Sequence, residues 1–111
     1  MLKDKVALVT GAASGIGRAI CFAFVREGAK VVVSDMDDDG GRESVRLIAE
    51  RGGDAMFVRA NVADPAEMEA LVRAAVNQYG ALHVACNNAG VGGETIPTAD
   101  YPIEEWNRVL S

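Results

Sequence analysis

Four short apolar runs, each set off from the next by a helix-length amphipathic segment, constrain this chain most. The runs are Val6–Val9, Val31–Val33, Ala55–Val58 and Leu82–Cys86. The first is too short for a helix and fits a strand buried on both faces, and the other three read as strands as well. Strands separated by helices run parallel, joined by right-handed crossovers. The pattern therefore predicts an α/β fold, an open doubly wound parallel sheet of the Rossmann type with about four strands in the order 3-2-1-4. No linker or repeat divides it, so residues 1–111 form one domain.

The intervening segments carry their own start and stop signals. From Ile16, residues Ile16, Ala19, Ile20, Ala23 and Phe24 recur at helical spacing and predict the apolar face of a first helix, closed by Gly28. A second helix is expected from about Asp39 to Arg51 with Val45, Ile48 and Ala49 inward, stopped by Gly52-Gly53. Asp64-Pro65-Ala66-Glu67 predicts a third helix start, with Asp64 as N-cap, Pro65 at the first helical position and Glu67 closing a capping box. Met68, Leu71, Val72, Ala75, Val76 and Tyr79 share its face, and Gly80 ends it. After the fourth run come "NNAG" (Asn87–Gly90), a glycine-rich loop from Val91 to Ala99, and a further helix from near Pro102.

The segment "TGAASGIG", Thr10 to Gly17, joins the first strand to the first helix. In this fold that loop is the usual phosphate position. Helix N-termini leave N–H groups unpaired, and glycines let a pyrophosphate approach the backbone. The spacing Gly11-x-x-x-Gly15-x-Gly17 is neither G-x-G-x-x-G nor a P-loop, since Ile20 stands where a last glycine would and no lysine follows. A plain tight turn with glycines used for packing is the competing reading. Asp35 ends the second strand, about 20 residues beyond the glycines, where a carboxylate can accept both hydroxyls of an adenine ribose. Its plain alternative is a solvated turn acid like Asp37, Asp38 and Asp39, one of which would cap the next helix. No Arg or Lys lies in Ser34–Gly41 and position 14 is Ser, so a 2′-phosphate would meet acid without a cation. The expected cofactor is NAD rather than NADP.

Composition removes other classes. A net charge of −5 and a pI near 4.7 lack the basic footprint of a nucleic-acid binder. No apolar stretch approaches a membrane span, and the start has no signal-peptide layout, which points to a cytoplasmic protein. Cys21 and Cys86 sit in apolar runs and read as buried thiols. The single His83 has no ligand cluster, so no metal is expected, and it reads as a satisfied strand or surface residue.

"TGAASGIG" after a first strand, "NNAG" after a fourth and "EEW" opening the next helix together resemble the short-chain dehydrogenase/reductase family, across Lys5 to Ser111. Members are NAD(P)-dependent oxidoreductases with a usual seven strands, commonly homodimers or homotetramers. The resemblance implies that Gly11, Ser14, Gly15, Ile16 and Gly17 form the pyrophosphate and nicotinamide-side loop and that Asp35 holds the adenine ribose. Asn61-Val62 matches a pair beside the adenine ring, although Asn61 can equally be a turn asparagine. Asn88 and Gly90 would line the cofactor ribose, or Asn88 would tie two strands. His83 departs from the family, in which Asp is frequent there.

The family's chemistry uses a tyrosine with a lysine four residues on, plus a serine and a relay asparagine. A tyrosine needs such help because its ordinary pKa of about 10 is far from neutral. Here the lysines are Lys3, Lys5 and Lys30, and neither Tyr79 nor Tyr101 begins Tyr-x-x-x-Lys. No catalytic residue is therefore assigned. The chain reads as the NAD-binding portion of such an enzyme, cut or truncated, whose parent reaction moves hydride between nicotinamide and a secondary alcohol or ketone. The alternatives are a short non-catalytic protein that binds a dinucleotide or a partner, a remnant that binds nothing, and, remotely, an S-adenosylmethionine fold. An open edge on the fourth strand and marginal stability are also expected.

Overall fold

The computed structural model describes residues 2–13, 15–87 and 94–97. Its elements are β1 (Val6–Thr10), α1 (Gly15–Arg26), β2 (Lys30–Asp35), α2 (Asp38–Glu50), β3 (Ala55–Arg59), α3 (Pro65–Tyr79), β4 (Val84–Asn87) and β5 (Glu94–Pro97). The sheet order is β3-β2-β1-β4-β5. Strands β1 to β4 are parallel, as the alternation predicts. All five residues of β1 are buried, because helices lie on both faces of the sheet.

The sheet divides the core in two. Val6, Leu8, Val32 and Ala85 pack with Met68, Leu71, Val72 and Ala75 of α3. On the opposite face Val9, Val31, Val33 and Cys86 pack with Cys21 of α1 and Ile48 of α2. Burial pushes the Cys21 thiol up to about 12, with Cys86 adding to the effect, so this sulfur stays protonated and serves as a small apolar side chain.

Four expectations need correction. The sheet carries a fifth strand, β5, antiparallel to β4 with Ala85 opposite Ile96 and Cys86 opposite Thr95, so the edge expected to be open on β4 is paired. A strand that returns antiparallel needs only a short connection, whereas a parallel one needs a crossover. The buried line of α1 is Gly17 and Cys21, flanked by Ile20 and Phe24, while Ile16 is 72% exposed and Ala19 is exposed. The helix is rotated from its predicted face because Cys21 is the side chain that packs with Val9, Val31 and Val33 of the sheet. On α2 the buried positions are Gly41, Ser44 and Ile48, whereas Ala49 faces out. A Cβ on Gly41 would lie 2.0 Å from the Phe57 ring of β3, so the helix comes closest there. Finally, Asp64 caps α3 by accepting from Ala66 N–H at 2.9 Å, but Glu67 reaches past the cap to Asn61 N–H, also at 2.9 Å. The capping-box bond is not made because the Asp64 N–H already donates to the Asn61 carbonyl. The helix expected near Pro102 lies outside the described residues.

His83 is a satisfied buried residue. It is 9% exposed, its N–H donates to the Val6 carbonyl at 2.9 Å, and its Nδ1 accepts from the Val6 N–H at 3.0 Å. A His83→Leu variant leaves the Val6 N–H buried without an acceptor. The expected loss is about 1–3 kcal/mol of stability, read as a fall in Tm, and an unchanged Tm would contradict this role.

Candidate functional site

The carboxyl ends of β1 to β4 all open on one edge of the sheet, and the strand order reverses between β1 and β4. That reversal is where open α/β sheets bind ligands. The loop after β1 takes Gly11 at φ 63° and Gly15 at φ 61°, a left-handed backbone that only glycine adopts readily. Gly15 opens α1, so the first N–H groups of that helix, from Gly15, Ile16 and Gly17, have no acceptor within the helix. Open space surrounds the Cα of Gly15 where a side chain would be. Gly15 and Ile16 are exposed, whereas Gly17 is buried.

Asp35 ends β2 and reaches this loop. Its Oδ2 accepts from Ala13 N–H at 3.0 Å and its Oδ1 from Asp37 N–H at 3.0 Å. Each oxygen keeps a further lone pair. The carboxylate is thus fixed at the strand end, unlike the neighbouring acids: Asp37 caps α2 by accepting from Gly40 N–H, while Asp38 lies beside Arg59 at 3.7 Å. Asp37 thus takes the capping role expected of one of these acids.

Asn61 and Val62 follow β3 on the same edge. Asn61 is half-buried, and its Oδ1 accepts from Ala63 N–H at 3.0 Å, an Asx-type turn that leaves its amide NH2 as the donor. Val62 packs against the α3-side core. The structure therefore brings Gly11, Gly15, Ile16, Gly17, Asp35, Asn61 and Val62 to the carboxyl edge of one sheet. Ser14, Asn88 and Gly90 lie outside the described residues.

Sequence reasoning missed Arg18 and Ser44. The Arg18 Nε donates to Ser44 Oγ at 2.9 Å, and its Nη2 donates to the carbonyls of Ala13 and Gly40, the latter at 3.1 Å. Ser44, fully buried, donates to the Ala12 carbonyl at 2.6 Å. The signal was available only as an arginine three residues into the first helix and a serine on the buried line of the second. Ser34 Oγ, also fully buried, has no hydrogen-bond partner; because water does not reach it, it is not open to a ligand in this state.

Tyr79 packs on the core, as its place on the helix face predicts. Its hydroxyl donates to Asp54 Oδ1 at 2.9 Å, and burial followed by the Asp54 carboxylate holds the phenol well above its ordinary range. Among the described residues no group of His, Cys, Asp and Glu is arranged to hold a metal, and no helix is long and apolar enough to cross a membrane.

The model of the family described as short chain dehydrogenase matches residues 5–111. The chain belongs to the short-chain dehydrogenase family. It is 45% identical over 107 residues to a cyclohexanol dehydrogenase of Acinetobacter sp. (strain SE19), which covers 96% of this chain and 43% of that protein. It is 42% identical over 110 residues to an uncharacterised oxidoreductase of Thermotoga maritima, covering 99% of this chain and 43% of the relative. The chain thus spans under half the length of these short-chain dehydrogenases. Among solved structures, a short-chain dehydrogenase of Mycobacterium avium superposes with a TM-score of 0.77 at 39% identity, over 81% of this chain and 36% of that one. A short-chain dehydrogenase/reductase of Burkholderia phymatum, solved in complex with NAD, gives 0.74 at 33% identity, over 76% of this chain and 30% of that one. The Rossmann-like α/β architecture and the oxidoreductase family are therefore shown, and a nicotinamide cofactor is supported at the family level.

Proposed function

We propose that residues 1–111 form an NAD-binding domain and that the donors at the head of α1, together with Asp35, are its cofactor site. The observation that carries this reading is the Asp35 carboxylate fixed at the end of β2 and bonded to the middle of the glycine loop. Gly11, Ser14, Gly15, Ile16 and Gly17 would receive the pyrophosphate and the nicotinamide side. Asp35 would accept the adenine-ribose hydroxyls, Asn61 and Val62 would flank the adenine, and Asn88 and Gly90 would line the other ribose. A bound nicotinamide dinucleotide supplies hydride-transfer chemistry, and this chain's residues bind and orient it. NAD is favoured over NADP because a 2′-phosphate would stand against the Asp35 carboxylate with its strong negative charge.

In a complete enzyme the substrate is a secondary alcohol or ketone, in keeping with the cyclohexanol dehydrogenase among the relatives. Tyr-x-x-x-Lys is absent from this sequence, so the chain alone is inactive in hydride transfer. The same reading carries a cytoplasmic location, no nucleic-acid or membrane partner, and homodimeric or homotetrameric assembly for longer relatives.

Calorimetric titration with NAD and with NADP tests the reading. Saturable binding of NAD, at least about tenfold tighter than NADP, is expected; the tenfold corresponds to ~1.4 kcal/mol. Equal or tighter binding of NADP would overturn the cofactor choice. No saturable binding of either would overturn the site.

A further inference from the structure

All four backbone hydrogen-bonding groups of Ala12 and Ala13 are engaged. The Ala12 N–H donates to the Ser34 carbonyl at 3.1 Å and the Ala13 N–H to Asp35 Oδ2 at 3.0 Å, so the end of β2 holds both donors. The Ala12 carbonyl accepts from Ser44 Oγ at 2.6 Å, and the Ala13 carbonyl accepts from Arg18 Nη2. Both acceptors are therefore held by two side chains that bond each other, Arg18 Nε to Ser44 Oγ at 2.9 Å. The same guanidinium also donates to the Gly40 carbonyl at 3.1 Å. A Cβ on Gly40 would lie 2.8 Å from the Ala13 Cβ, so the first turn of α2 rests directly on the loop.

We propose that Arg18 is a positioning residue for the cofactor. With Ser44 it clamps the Ala12 and Ala13 carbonyls inward, and so sets where the N–H groups at the head of α1 stand to receive the pyrophosphate. This rests on the cofactor reading above. Arg18 points its hydrogen bonds at protein carbonyls and Ser44, so it acts through the loop rather than on the ligand. A planar guanidinium is suited to the task because one side chain bonds three acceptors at once; a lysine ammonium on a flexible stem cannot span them.

The test uses the full chain, with ADP-ribose and adenosine as ligands, and measures Kd by NMR titration and Tm for Arg18→Met, Arg18→Lys and Ser44→Ala. Adenosine lacks the pyrophosphate and so does not depend on the head of α1. Arg18→Met is expected to weaken ADP-ribose about tenfold or more while adenosine shifts less than about twofold. Ser44→Ala should move in the same direction by less, Arg18→Lys should recover only part of the loss, and the Arg18→Met/Ser44→Ala pair should be no worse than Arg18→Met alone, as for side chains in one network. If Arg18→Met does not fold, Ser44→Ala carries the same comparison. Unchanged ADP-ribose affinity, or equal weakening of both ligands, overturns the positioning role. A wild type that binds neither ligand removes the cofactor reading and the proposal together, whereas a wild type that binds beside an equally tight Arg18→Met removes the proposal alone.

Discussion

Replacing Asp35 by alanine is expected to weaken NAD binding by about 100-fold or more, because two charge-assisted hydrogen bonds to a ribose are each worth roughly 1.5–3 kcal/mol and each 1.4 kcal/mol is about tenfold. The carboxylate has a second task. It is the acceptor for Ala13 N–H, and alanine leaves that part-buried donor without a partner in the middle of the glycine loop. Affinity therefore falls through two routes, loss of the ribose acceptor and loosening of the loop. Asp35→Asn separates them. Its amide keeps one oxygen to accept from Ala13 but turns the other position into a donor, so an intermediate loss is expected. Isothermal titration of the three proteins, with circular dichroism to verify that each is folded, decides the matter. An Asp35→Ala affinity within about threefold of wild type, a difference below ~1 kcal/mol, would mean that the acid only shapes the turn.

Leu71→Ala should cost about 2–5 kcal/mol of folding stability, a large share of the 5–15 kcal/mol typical of a single domain. Leu71 is fully buried, and α3 is the one helix on its face of the sheet among the described residues. Among the described residues no second helix lies there to settle into the cavity, so the lost contacts with the β1 and β2 side chains are not recovered. Urea unfolding followed by circular dichroism measures the cost. A change below about 1 kcal/mol would show that the face is not packed as described, since even trimming a single buried methyl commonly costs that much.

The parallel half of the sheet was legible because doubly buried strands are uninterrupted apolar runs and the crossover rule leaves few topologies. Val6–Val9 and Val31–Val33 are unmistakable in that sense, and Gly28, Gly80, Asp64 and Pro65 mark ends by local chemistry. Helix rotation was less legible. Periodicity finds an apolar stripe, but the stripe through Ile16 and Ala19 competes with one through Gly17 and Cys21, and a buried glycine does not register as hydrophobicity. Strand β5 was hidden because Thr95 and Ile96 form too short a run beside glycines to announce a strand that turns back onto β4, the element just before it. In the site, Asp35 stood out from "DMDDD" because it abuts the strand. Arg18 and Ser44 did not, since what they bond to, the carbonyls of Ala12, Ala13 and Gly40, leaves no mark in residue type.

The central place of β1 also sets a timetable for the newborn chain. Strand β1 gains β2 as one neighbour soon after it is made, but its other flank waits for β4, and the Val6–His83 pair spans 77 residues. At roughly 5–20 residues per second, the usual pace of synthesis, that wait lasts about 4–15 seconds. Throughout it, one side of a strand that is buried along its whole length in the finished fold offers unpaired backbone groups to any passing segment. When His83 arrives, its backbone and ring meet both polar groups of Val6 and close the gap from the strand's first residue onward. Any slowing of translation ahead of codon 83 would thus lengthen the period in which this protein is vulnerable to misassembly, without altering a single contact in the finished fold.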